Sequence, residues 1–260
     1  MTFGVCTTLA NAAVLADAGY DYIELGVKDA LMPILPDSEV APTLAAIRGL
    51  RLPAPVYAGF LPRALRVVGD EIQRDQLSHY VATACRRAKS CGGEIIVFGS
   101  SASRNVPRDF PRTRAMDQIA EFLDMAAGHA EARGLIVALE PLCRLEGNII
   151  CTVAEGAELV RRVNRKGVRL VADFYHMWHE NEPVSDVVGA ADCLAHVHVA
   201  EPHGRMAPGS SGFDFAPLFA ALRAAGYDGR ISCECRFRSF GREATTALQT
   251  MRSHLALSNQ

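Results

Sequence analysis

The sequence predicts an α/β chain folded as one (β/α)8 TIM barrel domain over residues 1–260, and three observations carry that expectation. Eight short apolar runs of strand type recur along the chain, each followed by a longer stretch of helical period. A chain of 260 residues, 49% of them hydrophobic, is long enough for one large core, and barrels of this architecture commonly have this size. The first strand is followed by CTTLANA rather than by a Gly-rich phosphate loop, which removes the main support for an open doubly wound sheet.

The elements follow in order. FGVC (3–6) leads to a helical stretch at 8–18 that stops at Gly19, a residue suited to the left-handed position just past a helix. YIEL (22–25) leads to 39–49, APVYAG (54–59) to 68–91, and EIIVFG (94–99) to 114–133, which stops at Gly134. LIVALE (135–140) precedes 153–164, VRLVAD (168–173) precedes 183–190, and CLAHVHVA (193–200) precedes 214–225, which stops at Gly226. RISCEC (230–235) is the eighth strand and 241–257 its helix. No linker, repeat or low-complexity tract marks a second domain.

Composition narrows the function classes. With 27 basic and 29 acidic residues the formal charge is −2, so no general attraction to nucleic acid or to an anionic membrane is built in. The eight cysteines fall mostly within expected strands and helices, Cys6, Cys85, Cys193 and Cys233 among them, and read as reduced buried thiols. The N-terminal MTFGVCTTLANAAVLADAG lacks a basic n-region and is interrupted by Asp17, so it does not resemble a signal peptide. No apolar run approaches membrane-spanning length, and a soluble cytoplasmic protein is expected.

Chemistry-bearing residues collect where the last four strands finish, which in this fold is the mouth that carries reacting groups. VALEP ends in Glu140, VADFYH contains Asp173, AHVHVAE presents His198 and SCEC presents Glu234. Strand alternation places Ala138 with Glu140, Val171 with Asp173, His196 with His198 and Ser232 with Glu234 on one face. The other face, Leu139, Ala172, Val197 and Cys233, is largely apolar and suits packing against outer helices. Three carboxylates converging with one imidazole repel one another unless a cation sits among them. An oxygen-rich set open to water or substrate suits one Mn2+, Mg2+ or Co2+ ion, with Zn2+ as the alternative.

Each of these acids, taken alone, reads more simply as a solvated loop residue or a helix N-cap, and only four in register outweigh that reading. Alternation sends the sulfurs of Cys233 and Cys235 away from the axis, toward packing. His196, one layer below His198, reads as a hydrogen-bonded core histidine or a support to the site rather than a ligand. His179 and His203 fall in loops with no assigned task, and RRVNRKGVR (161–169) reads as a solvated helix end. The arginines of LPRALRVVGDE and GSSASRNVPRDFPRT, Arg104 among them, could meet a phosphate or carboxylate but read as facing water.

The segments LEPLCRLEGN (139–148), DFYH (173–176), HVHVAEPHGRMAPG (196–209) and YDGRISCEC (227–235) resemble the sugar isomerase/epimerase superfamily of xylose isomerase-like barrels. Its members include ketose 3-epimerases, hydroxypyruvate isomerase and inosose-processing enzymes. The match is specific over 135–235; GYDYIEL and VVGDEIQRDQ are only consistent with it. The resemblance implies Glu140, Asp173, His198 and Glu234 as metal ligands, the two glutamates doubling as the acid/base pair. It further implies Glu146, His176 and Arg205 as binders of substrate oxygens. The loop AEPHGR around Arg205 is closer to hydroxypyruvate-isomerase-like members than to ketose epimerases. The partner the resemblance implies is a small sugar-like molecule, of a length this loop leaves open. Barrels of this kind commonly pair, so a homodimer or homotetramer is expected, though no exposed apolar stripe marks the interface.

The chemistry agrees with those roles. Proton removal beside a carbonyl needs a base at the C–H bond and an electrophile on the oxygen that collects the enediolate charge. Loss of a β-hydroxyl from the same enediolate gives the dehydratase alternative, since the superfamily also resembles inosose and dehydroshikimate dehydratases. Endonuclease IV shares the Asp173/His176 spacing, but its further histidine ligands have no counterpart in PVYAGF or RMAPGSSGFDFA. A binding protein on an inactive barrel is the third class, and the intact ligand set opposes it.

Overall fold

The structure, a computed structural model described over residues 1–257, is a closed barrel of eight parallel strands in sequence order. The strands are β1 (Thr2–Cys6), β2 (Tyr22–Gly26), β3 (Val56–Ala58), β4 (Ile95–Phe98), β5 (Ile136–Leu139), β6 (Val168–Asp173), β7 (Leu194–Val199) and β8 (Arg230–Cys233). Each falls within or overlaps its expected run. Ten helices, α1 (Ala12–Ala18), α2 (Asp37–Arg48), α3 (Arg74–Ser90), α4 (Ser101–Arg104), α5 (Arg112–Glu131), α6 (Val153–Val163), α7 (Phe174–His179), α8 (Ser185–Gly189), α9 (Ala216–Ala224) and α10 (Phe240–Leu257), complete the described elements together with two short turns, Leu9–Asn11 and Val27–Leu31.

Three elements were not expected: α4, α7 and the wide turn at Val27–Leu31. All are a turn or two long, below the length at which apolar periodicity becomes readable. The stretch expected to be helical from 68 begins at Arg74 instead. Gly69 there adopts φ +132°, and Gln118 on α5 binds both its N–H and its carbonyl, leaving it outside any helical ladder. Gly19, Gly134 and Gly226 do take positive φ beyond their helices.

Side-chain alternation sorts the interior into two layers. Leu139, Ala172, Val197 and Cys233 belong to the large core between strands and helices. Ala138 and Val171 join Tyr22, Val56, Ala58, Ile95 and Val97 in a smaller cluster inside the barrel. The Tyr22 ring lies across the position a β-carbon on Gly4 would occupy, 2.3 Å from it, so only glycine there admits the ring. The Tyr22 hydroxyl meets Ser232 Oγ at 2.8 Å. Together these residues fill the barrel below its mouth.

Between β6 and β7 the register shifts: Leu170 pairs with Leu194, but Val171 pairs with His196. Ala195 is the extra residue of a β-bulge. Leu194 and Val197 both pack toward the outer core, a three-residue step that plain alternation forbids. The bulge thus sets His196 and His198 on the axial face, with His198 beside Asp173 and Ser232.

All eight cysteines are free thiols, with Cys6 and Cys235 half-buried and the other six buried. Among the described residues no helix is long and apolar enough to cross a membrane.

Candidate metal centre

Glu140 follows β5, Asp173 ends β6, His198 lies in β7 and Glu234 follows β8, so the four reach one point at the barrel mouth. One ligand atom from each lies within 4.8 Å of all the others. Asp173 and His198 are buried and Glu140 nearly so, whereas the Glu234 side chain keeps 27% of its surface open. His198 Nδ1 stands 2.8 Å from Glu140 Oε1 and 3.7 Å from Glu234 Oε2.

Asp173 divides its work between two oxygens. Oδ1 accepts the N–H of Tyr175 at 2.8 Å and of His176 at 3.4 Å, capping α7, while Oδ2 faces the mouth, 3.1 Å from Arg205 Nη2. One carboxylate therefore serves as the N-cap through Oδ1 and keeps Oδ2 turned toward the mouth. The polar end of a buried strand is compensated on each side, which is why it can stand behind Leu170, Val171 and Ala172.

The charges at this point are strongly coupled. Burial and the neighbouring Glu140 push the Glu234 carboxyl up to about 8, against the pull of His198 and Arg205. Burial disfavours a charged His198, yet Glu24, Glu234 and Glu140 around it hold its ring well above the ordinary histidine range. Asp173 is also opposed by burial, but His176, Arg205 and His198 hold it below the usual carboxylate value. Three carboxylates and an imidazole packed this tightly fit a divalent cation: the set is oxygen-rich, buried on three members and open to solvent at the fourth.

The residues expected to bind substrate oxygens surround the same point. Arg205 donates from Nη1 to Glu146 Oε1 at 3.0 Å, from Nε to the Glu234 carbonyl at 3.1 Å, and from Nη2 to the Glu234 carboxylate and to Asp173. Its guanidinium also lies 4.6 Å over the Tyr175 ring. His176 is buried on α7 with Nε2 3.6 Å from Asp173 Oδ2. Its Nδ1 receives the Cys143 N–H at 3.3 Å and faces the Cys143 thiol at 3.2 Å. A buried nitrogen that accepts a backbone N–H carries no proton itself, so the ring proton is on Nε2, which is buried without a hydrogen-bond partner.

His179 and His203 stay outside this cluster, edge-to-face with Trp178 at ring-centre distances of 5.0 and 5.1 Å. Arg161, Arg162 and Arg165 pair on the surface with Asp192, Asp117 and Asp124, as expected for a solvated helix end. Arg104 corrects the reading that it faces water. It is fully buried at the end of α4, donates from Nη1 to the Phe98 carbonyl at 3.2 Å and lies 5.7 Å from the centre of the Phe98 ring. Burial lowers its guanidinium to about 10. The short helix that turns it inward begins after Ser100 in the left-handed region, a backbone reversal that composition does not announce.

Glu24 went unrecognised in the sequence. It is wholly buried on β2, with its carboxylate bridging Nε2 of His196 at 2.9 Å and Nε2 of His198 at 3.0 Å. Burial opposes its charge, and the two histidines nonetheless hold it far below the usual carboxylate range. Its signal lay in GYDYIEL: the alternation used on the last four strands puts Glu24 on the same face as Tyr22, an acid inside the barrel.

Comparison with known proteins places the chain in a family. Residues 12–256 match the model of the xylose isomerase-like TIM barrel, and the chain belongs to that family. It is 32% identical over 181 residues to the 3-dehydro-D-guloside 4-epimerase of Escherichia coli K12, covering 66% of this chain and 69% of that protein. It is also 32% identical over 232 residues to the L-ribulose 3-epimerase of Methylomonas sp. DH-1, covering 88% and 77%. Among solved structures, the apo 3-keto-D-glucoside 4-epimerase of E. coli superposes with a TM-score of 0.82 at 25% identity, over 97% of this chain and 99% of that one. The D-psicose 3-epimerase of Clostridium cellulolyticum H10 shares the fold with a TM-score of 0.85 at 20% identity, over 98% and 99%. The chain is thus an enzyme of the isomerase and epimerase class.

Proposed function

We propose that the protein is a divalent-metal-dependent epimerase or isomerase of a small keto sugar, and that Glu140 and Glu234 are its acid/base pair. The observation that carries the reading is the convergence of two glutamates, an aspartate and a histidine within 4.8 Å at the open end of the barrel. The relatives add chemical direction. A 3-dehydro sugar epimerised at C4 and a ribulose epimerised at C3 each invert the carbon beside a carbonyl. One proton chemistry therefore serves both names.

Glu140, Asp173, His198 and Glu234 would hold the ion, for which Mn2+, Mg2+ and Co2+ suit the oxygen-rich donor set. A bound divalent ion supplies the electrophile that stabilises negative charge on the substrate's carbonyl oxygen. The chain's own groups do the rest. One glutamate takes the proton from the carbon beside the carbonyl, and the other returns a proton from its own side, inverting that carbon. The same pair, working on neighbouring carbons, gives isomerisation. His176 donates its Nε2 proton to a substrate oxygen, while Arg205 and Glu146, already 3.0 Å apart, bind hydroxyl groups at the rim.

The test is NMR in D2O with protein purified without chelator, its metal measured by elemental analysis, against L-ribulose, D-fructose, a 3-keto-glucoside and hydroxypyruvate. One equivalent of metal and exchange of the proton beside the carbonyl are expected, with Glu234→Gln keeping metal and losing interconversion of the epimers. Native epimerisation by metal-loaded Glu234→Gln overturns the pair. A product absorbing in the ultraviolet as an enone replaces epimerisation with dehydration.

A further inference from the structure

Three fully buried ionisable groups lie beneath the proposed metal ligands with no role in the proton chemistry: Glu24, His196 and the far nitrogen of His198. We infer that Glu24 is a positioning residue whose carboxylate fixes the His198 ring so that Nδ1 faces the barrel mouth as a ligand atom. The inference rests on the reading of His198 as a metal ligand.

The geometry is specific. An imidazole has one nitrogen on each side, and on β7 its ring is free to rotate about two torsions unless something holds it. Glu24 Oε1 receives the His198 Nε2 proton at 3.0 Å, on the side of the ring away from Glu140 and Glu234. That bond keeps one proton on Nε2, so that the proton Nδ1 shares with Glu140 is the one an arriving cation would displace, giving the tautomer a ligating histidine requires, with the Nδ1 lone pair toward the mouth. Oε2 is held in turn by His196 Nε2 at 2.9 Å, so the carboxylate cannot swing away from His198. His196 Nδ1, by contrast, is buried and has no partner. As a bare lone pair it leaves no orphaned N–H, which agrees with His196 also carrying its proton toward Glu24. The order from core to mouth is therefore His196, Glu24, His198.

A carboxylate behind a ligating imidazole typically changes metal affinity 10- to 100-fold. The test titrates apo protein with Mn2+, following the EPR signal of the free ion, for the parent, Glu24→Gln and His196→Gln. Glu24→Gln is expected to bind Mn2+ roughly 10- to 100-fold more weakly. His196→Gln, whose amide reaches about as far as Nε2 and can still donate to the carboxylate, is expected to bind close to the parent. A folded Glu24→Gln with parental affinity overturns the inference, because a purely structural Glu24 would change melting temperature and not affinity. An equal loss in His196→Gln overturns it as well, since any disturbance of the buried trio would then suffice. Absence of Mn2+ binding by the parent would instead refute the ligand set itself. Two-bond 1H–15N correlation on histidine-labelled parent loaded with Mg2+ needs no variant: His198 protonated on Nε2 supports the inference, and protonated on Nδ1 overturns it.

Discussion

Replacing Gly99 with alanine separates stability from function at this site. Gly99 follows β4 and packs beside Glu140, whose backbone N–H is bonded to the Phe98 carbonyl at 3.1 Å. A β-carbon at Gly99 would sit 2.3 Å from Glu140 Oε2 and 3.4 Å from its Cδ, with Leu142 Cδ2 next at 3.5 Å. No positive φ is required at this position, so alanine strains no backbone. The clash falls on the tip of a side chain that can yield, and the melting temperature is expected to stay within about 2–4 °C of the parent, a change of about 1 kcal/mol. The carboxylate cannot yield without leaving its place. Clearing 3.0 Å requires Oε2 to move by about 0.7 Å, while Oε1 is tied to His198 at 2.8 Å. A displacement approaching 1 Å in a reacting group costs on the order of 100-fold in rate. Gly99→Ala should therefore melt like the parent, bind Mn2+ more weakly and exchange the substrate proton 10- to 100-fold more slowly, a range of order set by that displacement. Parental affinity together with parental exchange would refute the argument that Glu140 is confined by its neighbour.

Two further predictions use the titrating groups. Mn2+ binding at pH 7 is expected to release about two protons, from the His198 ring held above its ordinary range and from Glu234 at about 8. Calorimetry in buffers of different ionisation enthalpy counts them, and release of none would refute the coupling; affinity should accordingly rise with pH up to about 8. At Glu182, burial, with Asp186 and Glu155 adding to it, raises the carboxyl from 4.5 to about 7. An acid raised in the fold stabilises it fully below the unfolded value and loses that contribution as pH climbs through 7. Glu182→Gln keeps an oxygen for the Val153 N–H, and its stability relative to the parent should improve by about 1–2 kcal/mol from pH 4.5 to pH 8, after discounting partial exposure. Urea unfolding at the two pH values decides it, and a pH-independent difference would count against the assignment.

Much of the barrel could be read along the chain because strands announce themselves by apolar runs and their faces by alternation. Ala138 against Leu139 and Val171 against Ala172 went to opposite layers as that period requires. Asp173, His198, Glu140 and Glu234 were legible for the same reason, as polar residues at the ends of such runs. Glu24 obeyed the rule too but stood on a strand whose end carried no second polar residue to draw notice. Arg104 and α7 were not legible, since one short turn decides where each points. The β7 bulge is a matter of pairing, and pairing between β6 and β7 is not written in either strand alone.

The packed floor of the barrel has a consequence for traffic. With the Tyr22 ring laid over Gly4 and its hydroxyl tied to Ser232, and with Val56, Ile95, Ala138 and Val171 packed around it, the described residues fill the barrel below the proposed ligand cluster. Substrate arrives and product departs through one door. Under the proposed epimerisation the product has the same size and nearly the same hydroxyl pattern as its precursor, so each departing molecule would meet its replacement in the same doorway and compete with it for the same rim. Turnover in such a chamber is governed by the ratio of the two sugars outside, and product should inhibit competitively.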